Sequence, residues 1–336
     1  MSGLRLDVVV EKLPFAAPFR IAGHVFEDQD AVVVTLDDGV RRGRGEAEGV
    51  FYLGDDAAHM VAALEACRPT VEAGIDRARL QQLLPPGGAR NALDCALWEL
   101  EARRSGRPVW ELAELDPPQP LVTTFTLGAE EPARMADGAR RYAEARALKL
   151  KFSGDHDLDH ARLAAVRAAR PDVWLGVDAN QGYTRGGLEA LIRMLSSAGV
   201  ALLEQPLARG HEGELAGFSS PIPLAADESA LTLADLPGLV GRFQVVNIKL
   251  DKCGGLTEGL AMARKARELG LGVMVGNMVG TSLAMAPAFV VGQLCDIVDL
   301  DGPIFLAHDR QPGVTYDEGL VWCSDKVWGS INAAVR

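Results

Sequence analysis

The sequence predicts an α/β protein in which an N-terminal α+β unit precedes a parallel eight-stranded (β/α) barrel. Three observations carry this. The chain begins with alternating, strand-like runs and then turns helical; a Pro-rich stretch, LDPPQP at 115–120, interrupts it; and beyond that point eight short apolar strands recur with helices between them. Eight is the strand count that closes such a barrel.

In order, LRLDVVVEKL and AVVVTLDDG read as strands, with DDG a turn signal. DDAAHMVAALEAC and NALDCALWELEARRSG have apolar residues at helical spacing, the second expected to start at an Asn91 cap and to stop at Gly106. The barrel strands are LVTTFTLG, ALKLKFS, WLGVDANQ, ALLEQPL, PLAADES, VVNIKL, GVMVGNM and DIVDLDG. Between them lie amphipathic stretches such as DHARLAAVRAARP and GLAMARKARELG. The domain expectation is residues 1–118 for the first unit, 119–310 for the barrel, and a strand-like return segment at 311–336 that rejoins the first unit.

Hydrophobic residues make up 48% of the 336 and charged residues 24%, a balance that suits a globular chain with a sizeable core. The formal charge of −12 argues against nucleic acid or an anionic membrane as partner, because both call for a basic footprint. No basic N-terminal segment leads into an apolar run, and no stretch has the roughly 20 apolar residues of a span, so a cytoplasmic location is expected. The five cysteines are scattered and never spaced as CxxC, which suits reduced core residues.

In such a barrel the reactive residues sit at the C-terminal strand ends. Polar groups fall there on six of the eight strands: Lys149 and Lys151; Asp178 and Asn180; Glu204; Asp227 and Glu228; Lys249, Asp251 and Lys252; Asp299 and Asp301. One such residue would be an ordinary solvated charge, but six strands doing so point to a site. Asp178, Glu204 and Asp227 come from three successive strands and form an all-oxygen set that suits Mg²⁺ or Mn²⁺ better than zinc. His156 and His160 are spaced i, i+4, but their acidic setting fits a solvated helix start.

Lys149 and Lys151 share one face of their strand, since side chains at i and i+2 point the same way. The second and sixth strands stand half a turn apart around an eight-stranded ring, so Lys151 and Lys249 face each other across its mouth. A substrate carboxylate at the metal would then hold its α-carbon between two lysines, one to remove the α-proton and one to return it from the opposite face.

The segments KLK, DAN, LEQP, ADES, NIKLDKCGG and DLDGP, with GGARNALDCALWEL at 87–100, resemble the enolase superfamily, in its muconate-lactonizing-like branch, and most of all the dipeptide epimerases of L-Ala-D/L-Glu type. The resemblance implies a modified (β/α)8 barrel of (β/α)7β type, with the N-terminal α+β unit as a capping domain. It also implies a Mg²⁺-dependent isomerase, with one Mg²⁺ per subunit and Mn²⁺ as a substitute, that inverts the C-terminal residue of a dipeptide through an enediolate; a Lys base paired with Mg²⁺ is a known device of this superfamily.

Residue by residue, it implies Lys151 and Lys249 as the bases, Asp178, Glu204 and Asp227 as metal ligands, and Lys149, Glu228 and Lys252 as auxiliaries. Lys149 would contact the substrate carboxylate and disfavour charge on Lys151. Asp299 and Asp301 would hold the substrate's terminal ammonium, with Asn180 also near the substrate. A homo-oligomer is expected.

Specificity in this family depends partly on the capping-domain loop, here RIAGHVFEDQDA at 20–31, whose only cations are Arg20 and His24. If neither meets a glutamate side chain, hydrophobic or basic second residues are preferred; otherwise Arg20 or His24 fills that role. The rivals on the same scaffold are o-succinylbenzoate synthase, N-succinylamino acid racemase and muconate cycloisomerase, whose substrates lack the distal ammonium. A non-catalytic protein that binds metal and carboxylate is the rival of another class.

Overall fold

The computed structural model describes residues 3–21 and 23–330. Three antiparallel strands open the chain, Arg5–Ile21, His24–Asp37 and Arg42–Ala47, paired in that order. Alternation puts Val32, Val34 and Leu36 of the second strand on one buried face. Helices Ala57–Glu72 and Gly88–Ser105 cover that face through Met60, Leu64, Leu93 and Leu100. The longer helix lies directly on the third strand because that strand offers glycine at the contact: a Cβ on Gly45 would stand 2.0 Å from the Ala92 carbonyl oxygen.

That helix ends at Gly106 in the left-handed conformation, as its sequence suggests, but it does not begin at Asn91. It starts three residues earlier, and Asn91 is a buried interior residue whose Oδ1 accepts from the Cys95 thiol. The reason lies elsewhere in the chain: Asp55 Oδ2 accepts from the Gly88 amide at 2.7 Å, so a tertiary carboxylate does the work of a local cap.

The barrel strands are Thr124–Leu127, Ala147–Lys151, Trp174–Asp178, Leu202–Glu204, Leu224–Ala226, Val245–Ile248, Gly272–Val275 and Ile297–Val298, paired in sequence order. Between the first and the eighth, side chains tie the seam: Thr123 Oγ1 accepts from the Leu300 amide at 3.0 Å, and Asp301 Oδ2 from the Thr126 amide at 2.6 Å. Helices His156–Ala169, Leu188–Ser197, Leu256–Glu268 and Ser282–Gly292 pack outside, and the eighth strand runs into a short 3₁₀ turn, Gly302–Phe305, in place of an outer helix. The architecture is therefore the mixed α/β barrel with an N-terminal unit that the strand count predicts.

The end of the chain does two things. Hairpin Thr315–Asp317 and Leu320–Trp322 pairs with Leu121–Val122 beside the start of the barrel, while the Val327 carbonyl and Trp328 Nε1 bond to Arg44 of the N-terminal sheet. Residues 331–336 of the expected return segment lie outside the described residues. No helix among the described residues is long and apolar enough to cross a membrane.

Acids hold the two units together. Glu46 takes Arg310 at 2.7 Å and the Thr281 amide at 2.7 Å, and Asp251 Oδ1 accepts from the Glu48 and Gly49 amides at 2.9 and 3.0 Å. Glu48 itself is buried with neither carboxylate oxygen hydrogen-bonded. Burial, then the charges of Asp251 and Glu46, push its carboxyl well above the ordinary range. A native acid that holds its proton more tightly than the unfolded chain loses stability as pH rises above the ordinary carboxylate value. Glu48→Gln, which needs no proton, is therefore expected to raise the melting temperature at pH 8 and to change it little at pH 5, as thermal melts at the two pH values would measure.

Candidate active site

Register brings the acids together. Lys151, Asp178 and Glu204 end neighbouring strands as directly paired residues, and Asp227 follows the fifth strand by one position. One oxygen from each of Asp178, Glu204 and Asp227 lies within 4.8 Å of the others, and all three residues are buried. Three carboxylates so close repel one another, and burial removes the water that would screen them.

Lysines answer part of that charge. Lys151 Nζ meets Asp178 Oδ2 at 2.5 Å, and Lys249 Nζ meets Asp227 Oδ2 at 2.7 Å. Lys252 is spent locally, donating to Asp227 Oδ1 at 2.5 Å and to the carbonyls of Asp227 and Asn247. Burial raises the Asp227 carboxyl, but Lys249 and Lys252 outweigh it and hold the group well below the usual carboxylate range. Glu204 keeps Oε2 buried without a hydrogen bond, and burial followed by the charge of Asp178 pushes it up to about 7. Burial disfavours the charged form of Lys249, yet the carboxylates of Asp227, Glu204 and Asp178 prevail and hold it above the ordinary lysine value.

This donor set fits a hard divalent cation: three converging carboxylates, no nitrogen or sulfur ligand among the described residues, and one oxygen, Glu204 Oε2, that accepts no hydrogen bond from them. Asn247 Nδ2 fixes Glu204 through Oε1 at 2.6 Å. It precedes Lys249 by two on the same strand, so NIK repeats the i, i+2 arrangement of KLK; the sequence reading passes over it.

Lys149 and Lys151 do share the inner face, while Leu148 and Leu150 between them join the core under the helices. Lys149 is nonetheless turned to its own partners: Asp299, and Glu204 at 3.7 Å. Burial opposes its charge, but Asp299 and Glu204 hold its ammonium on. Asp299 also accepts from the Thr124 hydroxyl, and Asp301 serves the seam. Burial, then the charge of Asp299, pushes Asp301 up to about 6.

Above the acids lies a cavity of about 260 Å³. Lys151, Lys249, Asp227, Glu228 and Asn180 line its floor, and the N-terminal unit supplies a largely aromatic wall of Phe15, Phe19, Phe26, Phe51 and Tyr52. Gln181 Nε2 donates to Glu228 Oε1 at 3.1 Å, and burial with the charges of Asp227 and Asp178 pushes Glu228 up to about 8. The Asn180 amide donates to Asp178 Oδ1 at 2.8 Å from a left-handed backbone conformation.

Lys149, Asp299, Asp301, Arg20 and His24 are not among the lining residues. Arg20 pairs with Glu130 at 3.1 Å, and His24 stacks on Phe26 with ring centroids 4.6 Å apart. Alternation explains Arg20: Phe19 and Ile21 on either side of it face the cavity, so it faces away.

Residues 5–113 match the family model described as mandelate racemase/muconate lactonizing enzyme, N-terminal domain, and residues 134–324 match the enolase C-terminal domain-like model. The chain is 40% identical over 314 residues to L-Ala-D/L-Glu epimerase of Escherichia coli, covering 94% of this chain and 98% of that one. It is 39% identical over 313 residues to N-acetyl-D-glutamate racemase of a Pseudoalteromonas species, covering 91% and 97%. Among solved structures, an enolase family member from Agrobacterium tumefaciens with homology to dipeptide epimerases, holding sodium and L-Ala-L-Glu, superposes with a TM-score of 0.94 at 41% identity, covering 97% of this chain and all of that one. Dipeptide epimerase from Methylococcus capsulatus, complexed with Mg and L-Arg-D-Lys, gives 0.90 at 30% identity, covering 96% and 97%.

Proposed function

We propose, since the chain belongs to the mandelate racemase/muconate lactonizing enzyme group of the enolase superfamily, that it is a Mg²⁺-dependent epimerase acting on the C-terminal residue of a dipeptide. One observation carries this reading: Lys151 and Lys249, from strands four places apart in the ring, enter one cavity and flank a buried cluster of three carboxylates. That is the arrangement a 1,1-proton transfer with inversion needs, because the proton must leave from one face and return to the other.

Asp178, Glu204 and Asp227 would hold one Mg²⁺ per subunit, with Mn²⁺ able to substitute. A cation there supplies charge that offsets the carboxylates keeping Lys249 protonated and favours the negative charge that develops on the substrate. Lys151 takes the α-proton of one epimer, the substrate passes through its planar enediolate form, and Lys249 delivers a proton to the opposite face. For the other epimer the two exchange roles. Asn247 and Lys252 keep Glu204 and Asp227 in place, while Glu228 and Asn180 border the substrate.

Asp299 and Asp301 are assigned to the substrate's ammonium. They are two buried acids beside one lysine, Lys149, which Glu204 shares, and among the described residues Asp301 has no cation of its own. A second reading, racemisation of an N-acylamino acid, draws on the resemblance to N-acetyl-D-glutamate racemase and on Asp299 being engaged by Lys149. Parallel assays of dipeptides and the matching N-acetyl amino acids discriminate: Asp301→Asn is expected to raise KM for dipeptides about tenfold or more, as loss of a buried charged partner would, and to spare N-acyl substrates. Preferential turnover of N-acyl substrates by the unmodified enzyme contradicts the dipeptide reading.

The aromatic wall bears on the second residue. With Arg20 facing away and His24 stacked outside, a glutamate side chain would meet apolar rings and no spare cation. L-Ala-L-Phe is therefore expected to match or exceed L-Ala-L-Glu in kcat/KM. The relatives named for glutamate substrates support the opposite order, and a strong preference for L-Ala-L-Glu would show that Arg20 or His24 turns inward.

A further inference from the structure

The N-terminal unit brings two polar side chains to the cavity, Gln29, whose amide donates to the Asp30 and Glu48 carbonyls, and Tyr52. Tyr52 lies in the turn that follows the third strand, and its hydroxyl is buried in the cavity wall without a hydrogen-bond partner among the described residues. A buried hydroxyl left unpaired costs free energy, so its position calls for an occupant. The turn that carries it is firmly set. Asp251, two residues after Lys249, accepts from the Glu48 and Gly49 amides, and Val50 and Asp55 close the loop as a backbone bridge. Gly49 adopts the left-handed conformation there, and a Cβ on it would stand 2.1 Å from the Asp55 carbonyl oxygen. The turn of helix Leu250–Cys253 that follows the sixth strand thus fixes both Lys249, its N-cap, and, through Asp251, the loop bearing Tyr52.

Burial, and after it the charges of Asp227, Glu228 and Asp178, hold this phenol above its ordinary value, opposed by Arg209. The hydroxyl therefore keeps its proton, and it stands at the carboxylate end of the cavity. None of these acids accepts from it.

We infer that Tyr52 is a further catalytic residue, donating from the N-terminal unit to the carboxylate of the substrate carbon that loses its proton. The inference rests on the epimerase reading. The donor is worth most when that carboxylate takes on the second negative charge of the enediolate, so its effect falls on kcat more than on KM. The reacting carboxylate is common to every dipeptide, so the effect is independent of the second side chain.

The test is Tyr52→Phe assayed with Mg²⁺ on L-Ala-L-Phe and L-Ala-L-Glu, beside the unmodified enzyme. Expected are a fall in kcat of about tenfold or more, a smaller change in KM, and the same factor for both dipeptides. Mg²⁺ affinity, titrated calorimetrically without substrate, is expected to be unchanged, and the melting temperature is expected not to fall, since the variant removes an unpaired buried hydroxyl. An unaltered kcat overturns the inference, as does a loss confined to L-Ala-L-Glu, which would assign the hydroxyl to a side-chain carboxylate. A loss accompanied by weaker Mg²⁺ binding or a lower melting temperature overturns it in favour of a structural role. If the unmodified enzyme epimerises no dipeptide, the functional reading fails and the inference with it, an outcome distinct from an active enzyme indifferent to Tyr52.

Discussion

Lys151→Ala and Lys249→Ala are each expected to abolish epimerisation, with losses of at least about 10²-fold, because neither lysine has a substitute on its side of the substrate. Lys149 and Lys252 are near in sequence but are held elsewhere, the first by Asp299 and Glu204 and the second by Asp227. The partial reaction distinguishes the two variants. Each keeps the base for one face, so each is expected to exchange the α-proton of one epimer only, and the two variants should retain opposite epimers. Proton NMR of separate L- and D-configured substrates in D₂O reads this directly. Full epimerase activity in either variant would refute the two-base assignment.

Removal of divalent cations is expected to have an effect of similar size. Without a cation the three carboxylates Asp178, Glu204 and Asp227 engage the very lysines the reaction needs, Asp178 holding Lys151 and Asp227 holding Lys249, and the cluster holds Lys249 above its ordinary value. Treatment with EDTA should take activity to background, and Mg²⁺ or Mn²⁺ should restore it. Glu204→Gln is expected to weaken Mg²⁺ binding by more than the about 10–100-fold typical of outer-sphere partners, as calorimetric titration without substrate would show. Activity that survives exhaustive chelation contradicts the ligand assignment.

Much of this site is legible in the sequence because each barrel strand ends in its own chemistry. A strand is short, its inward face is fixed by alternation, and DAN, LEQP and ADES each bring a carboxylate into one cluster. What the sequence conceals is made by distant contacts. The start of the helix at Gly88 depends on Asp55, 33 residues earlier, so no local cap marks it. Tyr52 and the phenylalanine wall come from the N-terminal unit, in stretches whose pattern reports only strand and turn.

The orientation of Arg20 follows from alternation once Phe19 and Ile21 are seen to face the cavity, a fact composition does not reveal. The engagement of Asp299 by Lys149 joins two strands that are far apart in the chain and brought close by closure of the ring. Acids at the ends of strands are easily noticed; which of them are already partnered is decided by tertiary structure.

The central claim is that two lysines on opposite faces invert the second residue's α-carbon by proton transfer. The most direct test follows the unmodified enzyme with Mg²⁺ and a single dipeptide epimer in D₂O by ¹H NMR and mass spectrometry. The account predicts that the inverted product carries deuterium at the α-carbon of the C-terminal residue from its first appearance, and that the N-terminal residue's α-proton is untouched. Inversion that retains the original proton, or deuterium entering the N-terminal residue, would contradict it.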